Sequence, residues 1–329
     1  KLGRKPSLCY NFYRFYFYLL YMPKLLSQLV YPADVPKYRR TTYNNNWCLL
    51  TKGTGRLLLL AGDQRMEHLN NDFWGSNIDP ADNNPEHLFQ IAAHAPIGAL
   101  AVHYGLASRY GHSYRHLNYV IKLNGKTNLI NDDPDSHLLA TIDQTIELSK
   151  EAGFRLVGVG YSIYPGSRYE PRMLAEASQI IIEAHDNGLP VILWIYPRGG
   201  KVKNEDDVSL IAGAAGLAVS LGADFVKVRA PRPLTVKNIQ RVVEAAGLTK
   251  VIFAGGAATA YDKLLRDISL EIKGGSAGVA IGRNIHQQSL KEASRRLQIL
   301  SALIYEHKTL SQVAKSVNRG RSQHNSKEQ

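Results

Sequence analysis

Cysteine is nearly missing from this chain: Cys9 and Cys48 are the only two in 329 residues. Two thiols cannot build a disulfide framework, and their scarcity suits a reducing compartment, so a cytoplasmic protein is expected. No stretch of 18 consecutive apolar residues occurs, and no membrane span is expected. A nucleotide fingerprint is also lacking. "GVGYSI" supplies Gly158 and Gly160, but Ile163 stands where a dinucleotide-binding loop needs its third glycine. "VIKLNGKT" ends like a phosphate-binding P-loop, but Val120 occupies its first glycine position.

Acidic residues are scarce at the two ends, and this locates the net charge of +12. Residues 1–50 hold eight Lys/Arg against Asp34, and residues 308–329 hold five against Glu328. The stretch between, 51–307, carries 27 basic and 26 acidic residues. Basic ends on a neutral body do not make a basic face, so nucleic acid is not expected as the main partner.

The opening "KLGRKPSLCYNFYRFYFYLLY" has neither the clean apolar core nor the small-residue cleavage site of a signal peptide. Residues 1–21 are expected to be an upstream or processed extension, with the working protein starting near Met22. Residues 22–56 then form an N-terminal covering segment and 57–307 the folded body. The final "SVNRGRSQHNSKEQ" lacks apolar periodicity, and 308–329 is expected to be a basic, disordered tail.

What the body does contain is one plan repeated. Eight short apolar runs end in Gly, Pro or polar residues: Leu57–Gly62, Ile97–His103, Tyr119–Asn124, Leu156–Tyr161, Pro190–Tyr196, Asp224–Val228, Lys250–Gly255 and Gly278–Gly282. Helical spacing fills gaps between them, as in Pro171–Asn187, with Pro in its first turn and Gly188 as a stop, and in Asp207–Leu221 before Gly222. Eight strands alternating with helices predict an α/β fold of (β/α)8 TIM-barrel type, with eight parallel strands.

In such a barrel the chemistry gathers at the C-terminal strand ends. Those ends supply Asp63 and Gln64 after the first strand, Lys122 and Asn124 on the third, and Tyr161 after the fourth. Tyr196 and Arg198 follow the fifth, Lys227 lies on the sixth, Gly255 and Gly256 follow the seventh, and Gly282 and Arg283 the eighth. Gln64, Lys122 and Arg198 are taken as substrate contacts. The glycines after strands seven and eight let backbone approach an anion, and Arg283 adds a fork-shaped cation, so a phosphorylated ligand is expected.

Lys227 sits in "DFVKV", an otherwise apolar inner strand. Burial and neighbouring cations favour its neutral amine, which is the nucleophile of Schiff-base chemistry. A lysine reaching the barrel rim, or pairing with Asp63, fits the spacing equally well. Lys122 and Lys126 compete for the same role, with Lys122 preferred as a supporting charge. The 11 histidines are scattered and no H-E-x-x-H occurs, so no metal ligand set and no cofactor are expected.

Seven stretches, "AGDQRMEH", "KLNGKT", "VGYSIYPGS", "LWIYPRGG", "GADFVKV", "FAGG" and "IGRNIHQ", run in one order from about Leu57 to Gln287. Together they resemble archaeal-type class I fructose-1,6-bisphosphate aldolases. The resemblance implies Lys227 as the Schiff-base lysine, Tyr196 as the proton-transferring group and Asp63 as its helper, with Trp194 packed along the substrate. It implies Gly255, Gly256, Gly282 and Arg283 at a phosphate, a phosphorylated ketose as substrate, no metal, and a large homo-oligomer. Related synthases of the 2-amino-3,7-dideoxy-heptulosonate type and a related thiolase share these motifs, and a phosphosugar-binding scaffold is the non-enzyme alternative. Arg65 departs from the family, which usually has glycine after "DQ"; a cation there is expected at a substrate phosphate or the pocket rim.

Overall fold

The computed structural model describes residues 31–130 and 132–313. The expected extension 1–21, the start near Met22 and the tail beyond Val313 lie outside the described residues.

Eight parallel strands close into a barrel, and each of the eight expected runs overlaps one of them. They are β1 (Leu57–Ala61), β2 (Ala99–His103), β3 (Asn118–Lys122), β4 (Arg155–Ile163), β5 (Val191–Ile195), β6 (Phe225–Val228), β7 (Lys250–Ala254) and β8 (Gly278–Ile281). Their order around the barrel is β1-β8-β7-β6-β5-β4-β3-β2, each strand pairing with its neighbours in sequence and β1 closing on β8. Only β4 overruns its expected limits appreciably, continuing through Ile163.

Helices fill the crossovers. After α1 (Arg40–Thr51) come α2 (Glu86–Ala93), α3 (Tyr104–Tyr110), α4 (Ile142–Ala152), α5 (Glu170–Asp186), α6 (Val208–Leu221), α7 (Val236–Ala246) and α8 (Tyr261–Lys273), with α9 (Leu290–Tyr305) behind β8. The two helices expected from spacing alone are α5 and α6. Pro171 lies in the first turn of α5, where its missing N–H costs nothing. The Asp207 side chain accepts the Leu210 N–H to start α6, and Gly222 ends it at φ 92°.

Side-chain alternation divides the strands into two apolar layers. One face packs outward against the helices. The other fills the barrel with Leu57, Leu59, Ala99, Ala101, Val120, Ile192, Phe225, Ile252 and Ala280, and Leu50 of α1 plugs its N-terminal end. Trp47 of α1 stacks on Phe225 at 4.9 Å. Beside it Tyr43 donates to Asp224, and His185 bridges Asp34 at 2.8 Å and Asp224 at 3.0 Å. The covering segment, as far as it is described, therefore closes the end opposite the expected chemistry.

The expected disordered tail from Lys308 is corrected for its first residues. Thr309 caps a helical turn by accepting the Gln312 N–H, and Val313 is buried against the core.

Candidate active site

The inward alternation that fills the barrel places its polar residues at one level near the C-terminal rim. Two residues beyond Ala61, Ala101, Val120, Trp194 and Phe225 come Asp63, His103, Lys122, Tyr196 and Lys227. A cavity of about 470 Å³ opens above them, lined among others by Asp63, Tyr196, Lys227 and Arg283. A second cavity of similar volume lies at the other end of the barrel, against Trp47, Cys48 and Leu248. The rim cavity brings a buried lysine, two phenols and a carboxylate together, a combination that marks a candidate reactive site.

Lys122 and Lys227 are both buried, but their surroundings differ. Lys122 Nζ donates to Asp63 Oδ2 at 2.9 Å and to Glu67. Burial alone lowers its proton affinity, but the two carboxylates more than reverse this and fix it as an ammonium. Lys227 is 4% exposed, and among the described residues no hydrogen bond or ion pair holds its Nζ. Burial shifts its pKa below the ordinary lysine value; Lys122 and Arg283 push the same way, while Asp63 and Glu67 oppose them. Asp63 is the counterpart: burial disfavours its charge, yet Lys122, Lys227 and His103 hold its carboxyl well below the usual range.

Beneath both amines lies Trp194. Lys227 Nζ is 5.2 Å and Lys122 Nζ 5.7 Å from its ring. The indole fits because residue 160 on β4 is glycine: an added Cβ there would overlap the six-membered ring. Gly158 likewise yields to the carbonyl of Pro190. The two glycines that imitate a nucleotide loop are thus packing devices.

Two phenols face the cavity. Tyr196 and Tyr164 are both raised in pKa, by burial first and then by nearby carboxylates, and both remain protonated and able to donate. His103, buried and beside Lys122, is lowered to about 4 and is neutral. Among the described residues no group of three or more His, Cys, Asp or Glu side chains is placed to hold a metal ion.

On the β7–β8 side, the twin-glycine turn and Gly282 border the same cavity. Gly256 has φ 68°, a backbone that favours glycine. The expected approach of backbone to an anion is corrected at Gly255, whose N–H already donates to Ala280 O at 2.8 Å. Gly282 leaves room for Gln64, whose carboxamide nitrogen would collide with a Cβ there. Arg283 reaches the cavity with its Nε 3.7 Å from Asp72, which also pairs with His68.

Other expectations need revision. Trp194, expected along the substrate, is fully buried below the cavity floor. Tyr161 points outward between barrel and helices, donating to Glu176 of α5 at 2.5 Å, and Tyr164 takes its place at the cavity. Asn124 is a staple: it accepts the Ser162 N–H at 2.7 Å and donates to Ser162 O at 2.9 Å. Lys126 donates to Thr127 O and is not among the residues lining the cavity. Arg65, expected at a substrate phosphate or the pocket rim, is not among the residues lining the cavity; it lies 3.9 Å from the Phe73 ring and donates to Asp82 O. Arg198 does border the cavity, its Nε and Nη2 donating to the two carboxylate oxygens of Glu205. Glu67, Tyr164, His68 and Arg229 were not singled out in the sequence. Only Glu67 carried a usable signal, standing four residues after Asp63 where a helical turn brings both carboxylates to one lysine.

Comparison with known proteins agrees with this geometry. Residues 57–288 match the DeoC/LacD family of aldolases. A curated relative from Methanocaldococcus jannaschii, named fructose-bisphosphate aldolase/6-deoxy-5-ketofructose 1-phosphate synthase, is 45% identical over 86% of this chain and 93% of its own. A solved fructose-bisphosphate aldolase from Slackia heliotrinireducens superposes with TM-score 0.86 at 43% identity, covering 90% of this chain and 95% of that one. An archaeal fructose-1,6-bisphosphate aldolase, solved with its catalytic lysine covalently bound to the carbinolamine intermediate, superposes with TM-score 0.71 at 30% identity, covering 80% and 99%. A closed eight-stranded barrel with a buried lysine in its rim cavity, matched through most of its length, places this chain in the DeoC/LacD family of aldolases.

Proposed function

We propose that this protein is a class I fructose-1,6-bisphosphate aldolase, cleaving its substrate reversibly to dihydroxyacetone phosphate and glyceraldehyde 3-phosphate. The observation that carries the reading is Lys227, a buried amine with lowered proton affinity and no ion-pair partner among the described residues, beside Lys122, which has two. The names of the relatives support the substrate.

In this reading neutral Lys227 Nζ attacks the C2 carbonyl, giving a carbinolamine that loses water to an iminium. The C4 hydroxyl gives up its proton, the C3–C4 bond breaks, and its electron pair moves into the iminium to form an enamine. Glyceraldehyde 3-phosphate leaves as the aldehyde. Protonation at C3 and addition of water then release dihydroxyacetone phosphate and the free amine. Tyr196 is assigned as the relay: as its oxygen takes the C4 hydroxyl proton it passes its own proton to the Asp63 carboxylate, and it later donates at C3 of the enamine while Asp63 returns the proton. Gly256, Gly282 and Arg283 hold one phosphate, with Gln64 beside it.

A homo-oligomer in the cytoplasm belongs to the same proposal. Leu129 and Ile130, each 71% exposed, and Leu248, 79% exposed, support subunit contacts, and the free Cys48 thiol suits a reducing compartment. The test is a cleavage assay coupled to triose phosphate detection. Wild-type protein should cleave fructose 1,6-bisphosphate and Lys227→Ala should not; equal rates in the two, or no cleavage by either, would refute the proposal.

A further inference from the structure

Asn284 does not border the rim cavity and is 2% exposed, yet it grips the turn that does. It follows Arg283 in the single helical turn after β8. Its Nδ2 donates to the carbonyls of Gly255 and Ala257, both at 3.0 Å. Its Oδ1 accepts the Thr259 N–H at 2.9 Å. Two donors and one acceptor on so short a stem are what a carboxamide offers, and neither Asp nor Ser supplies them. Asn284 is itself held from behind. Arg296 of α9 donates through Nη1 to Asn284 O at 2.9 Å and through Nε to Glu292 at 2.8 Å, with its guanidinium 4.8 Å from the Tyr261 ring.

Peptide geometry converts this grip into a polarity. A trans peptide points its C=O and its N–H in opposite directions. With the carbonyls of Gly255 and Ala257 turned to Asn284, the N–H groups of Gly256 and Ala258 face away from it. Gly255, Gly256 and Ala257 line the cavity, so the turn stands between Asn284 and the space for the ligand. Among the described residues the N–H groups of Gly256, Ala257 and Ala258 meet no hydrogen-bond acceptor. Glycine accepts a peptide in either orientation, so Gly255-Gly256 sets no preference by itself. A flipped peptide would aim a carbonyl oxygen at the anion in place of a donor.

We infer that Asn284 is a positioning residue for the substrate phosphate: by taking the carbonyls of Gly255 and Ala257 it fixes the turn with its N–H groups toward the cavity. It does this without touching the ligand. The inference rests on the aldolase reading above, which it deepens by naming the residue that sets the polarity of the phosphate turn.

The experiment combines calorimetric titration by inorganic phosphate with steady-state cleavage of fructose 1,6-bisphosphate. Asn284→Ala removes both donors, and Asn284→Asp removes them while keeping the shape and the acceptor for Thr259. In both variants phosphate binding should weaken roughly tenfold or more, through lost N–H contacts to a charged group. KM should rise by a similar factor while kcat changes much less, because the reacting groups are untouched. Leu300→Ala, a cavity in the buried face of α9, should lower the thermal midpoint and leave phosphate affinity and KM as in wild type. Unchanged phosphate affinity in Asn284→Ala, a loss confined to Asn284→Asp, or an equal loss in Leu300→Ala would overturn the inference, as would a wild type that binds no phosphate. If wild type binds phosphate but does not cleave the sugar, the aldolase reading fails, and the titrations still decide the role of Asn284.

Discussion

Lys122 and Lys227 share one indole, 5.7 and 5.2 Å from the ring of Trp194, yet only Lys122 is joined to carboxylates. Of two buried amines, one is locked as a cation. It discourages protonation of the other, and the division of labour follows from the placement of Asp63 and Glu67.

Removing the locked charge should therefore change the reactive one. In Lys122→Met the carboxylates of Asp63 and Glu67 lose their partner, and their pull on the Lys227 ammonium is no longer opposed by the Lys122 charge. The proton affinity of Lys227 should rise, and the pH profile of kcat should move toward alkaline pH. Stability should drop by about 3–5 kcal/mol, because a buried ion pair has lost one member. Denaturant titration and a pH–rate series read the two effects separately.

Tyr196→Phe removes a hydroxyl that stays protonated in the wild-type site. Loss of a positioned proton donor should lower kcat about 10²–10⁴-fold. Covalent capture of the ketose on Lys227 should persist, so single-turnover trapping and steady-state turnover should separate in this variant.

Gly160→Ala tests the packing beneath the lysines. A methyl at residue 160 overlaps the Trp194 ring, and overpacking of this kind costs about 1–3 kcal/mol. The displaced indole should also disturb both amines above it, so thermal midpoint and kcat should fall together. Ala at Gly256, by contrast, meets open space, and its only penalty is the φ of 68°.

The N-terminal end of the barrel should respond to pH. Burial disfavours the charge on His185, but hydrogen bonds and charges of Asp224 and Asp34 outweigh it, raising the pKa to about 8. A folded-state value above the ordinary 6.5 stabilises the fold fully below about pH 6.5, and that contribution is lost as pH rises through about 8. Its size is about 2 kcal/mol. Unfolding free energies at pH 6 and pH 9 should differ by that order in wild type and much less in His185→Gln.

Much of this was legible in the sequence because a barrel strand is a strict alternation. Eight apolar runs marked the strands, and Lys227 stood out as a cation in an otherwise apolar strand, where the structure shows it continuing the inward row of Phe225. The same rule assigns Tyr196 from Trp194 and Lys122 from Val120. It misleads at β4, where the strand runs two residues further than its apolar part and the register shifts between Tyr119 and Val120. Tyr161 consequently faces the helices while Tyr164 reaches the cavity. Trp194 was placed beside the substrate by the family resemblance, and its position in the row does not say how far below the rim its side chain ends. Glu205 and Asp206 lie on the loop between β5 and α6, whose course no periodicity reveals.

Borohydride reduction in the presence of fructose 1,6-bisphosphate, followed by peptide mass spectrometry, tests the central assignment most directly. It should yield one stable adduct, on the peptide containing Lys227, absent from Lys227→Ala. An unchanged protein mass, or an adduct that survives the substitution, would contradict the account.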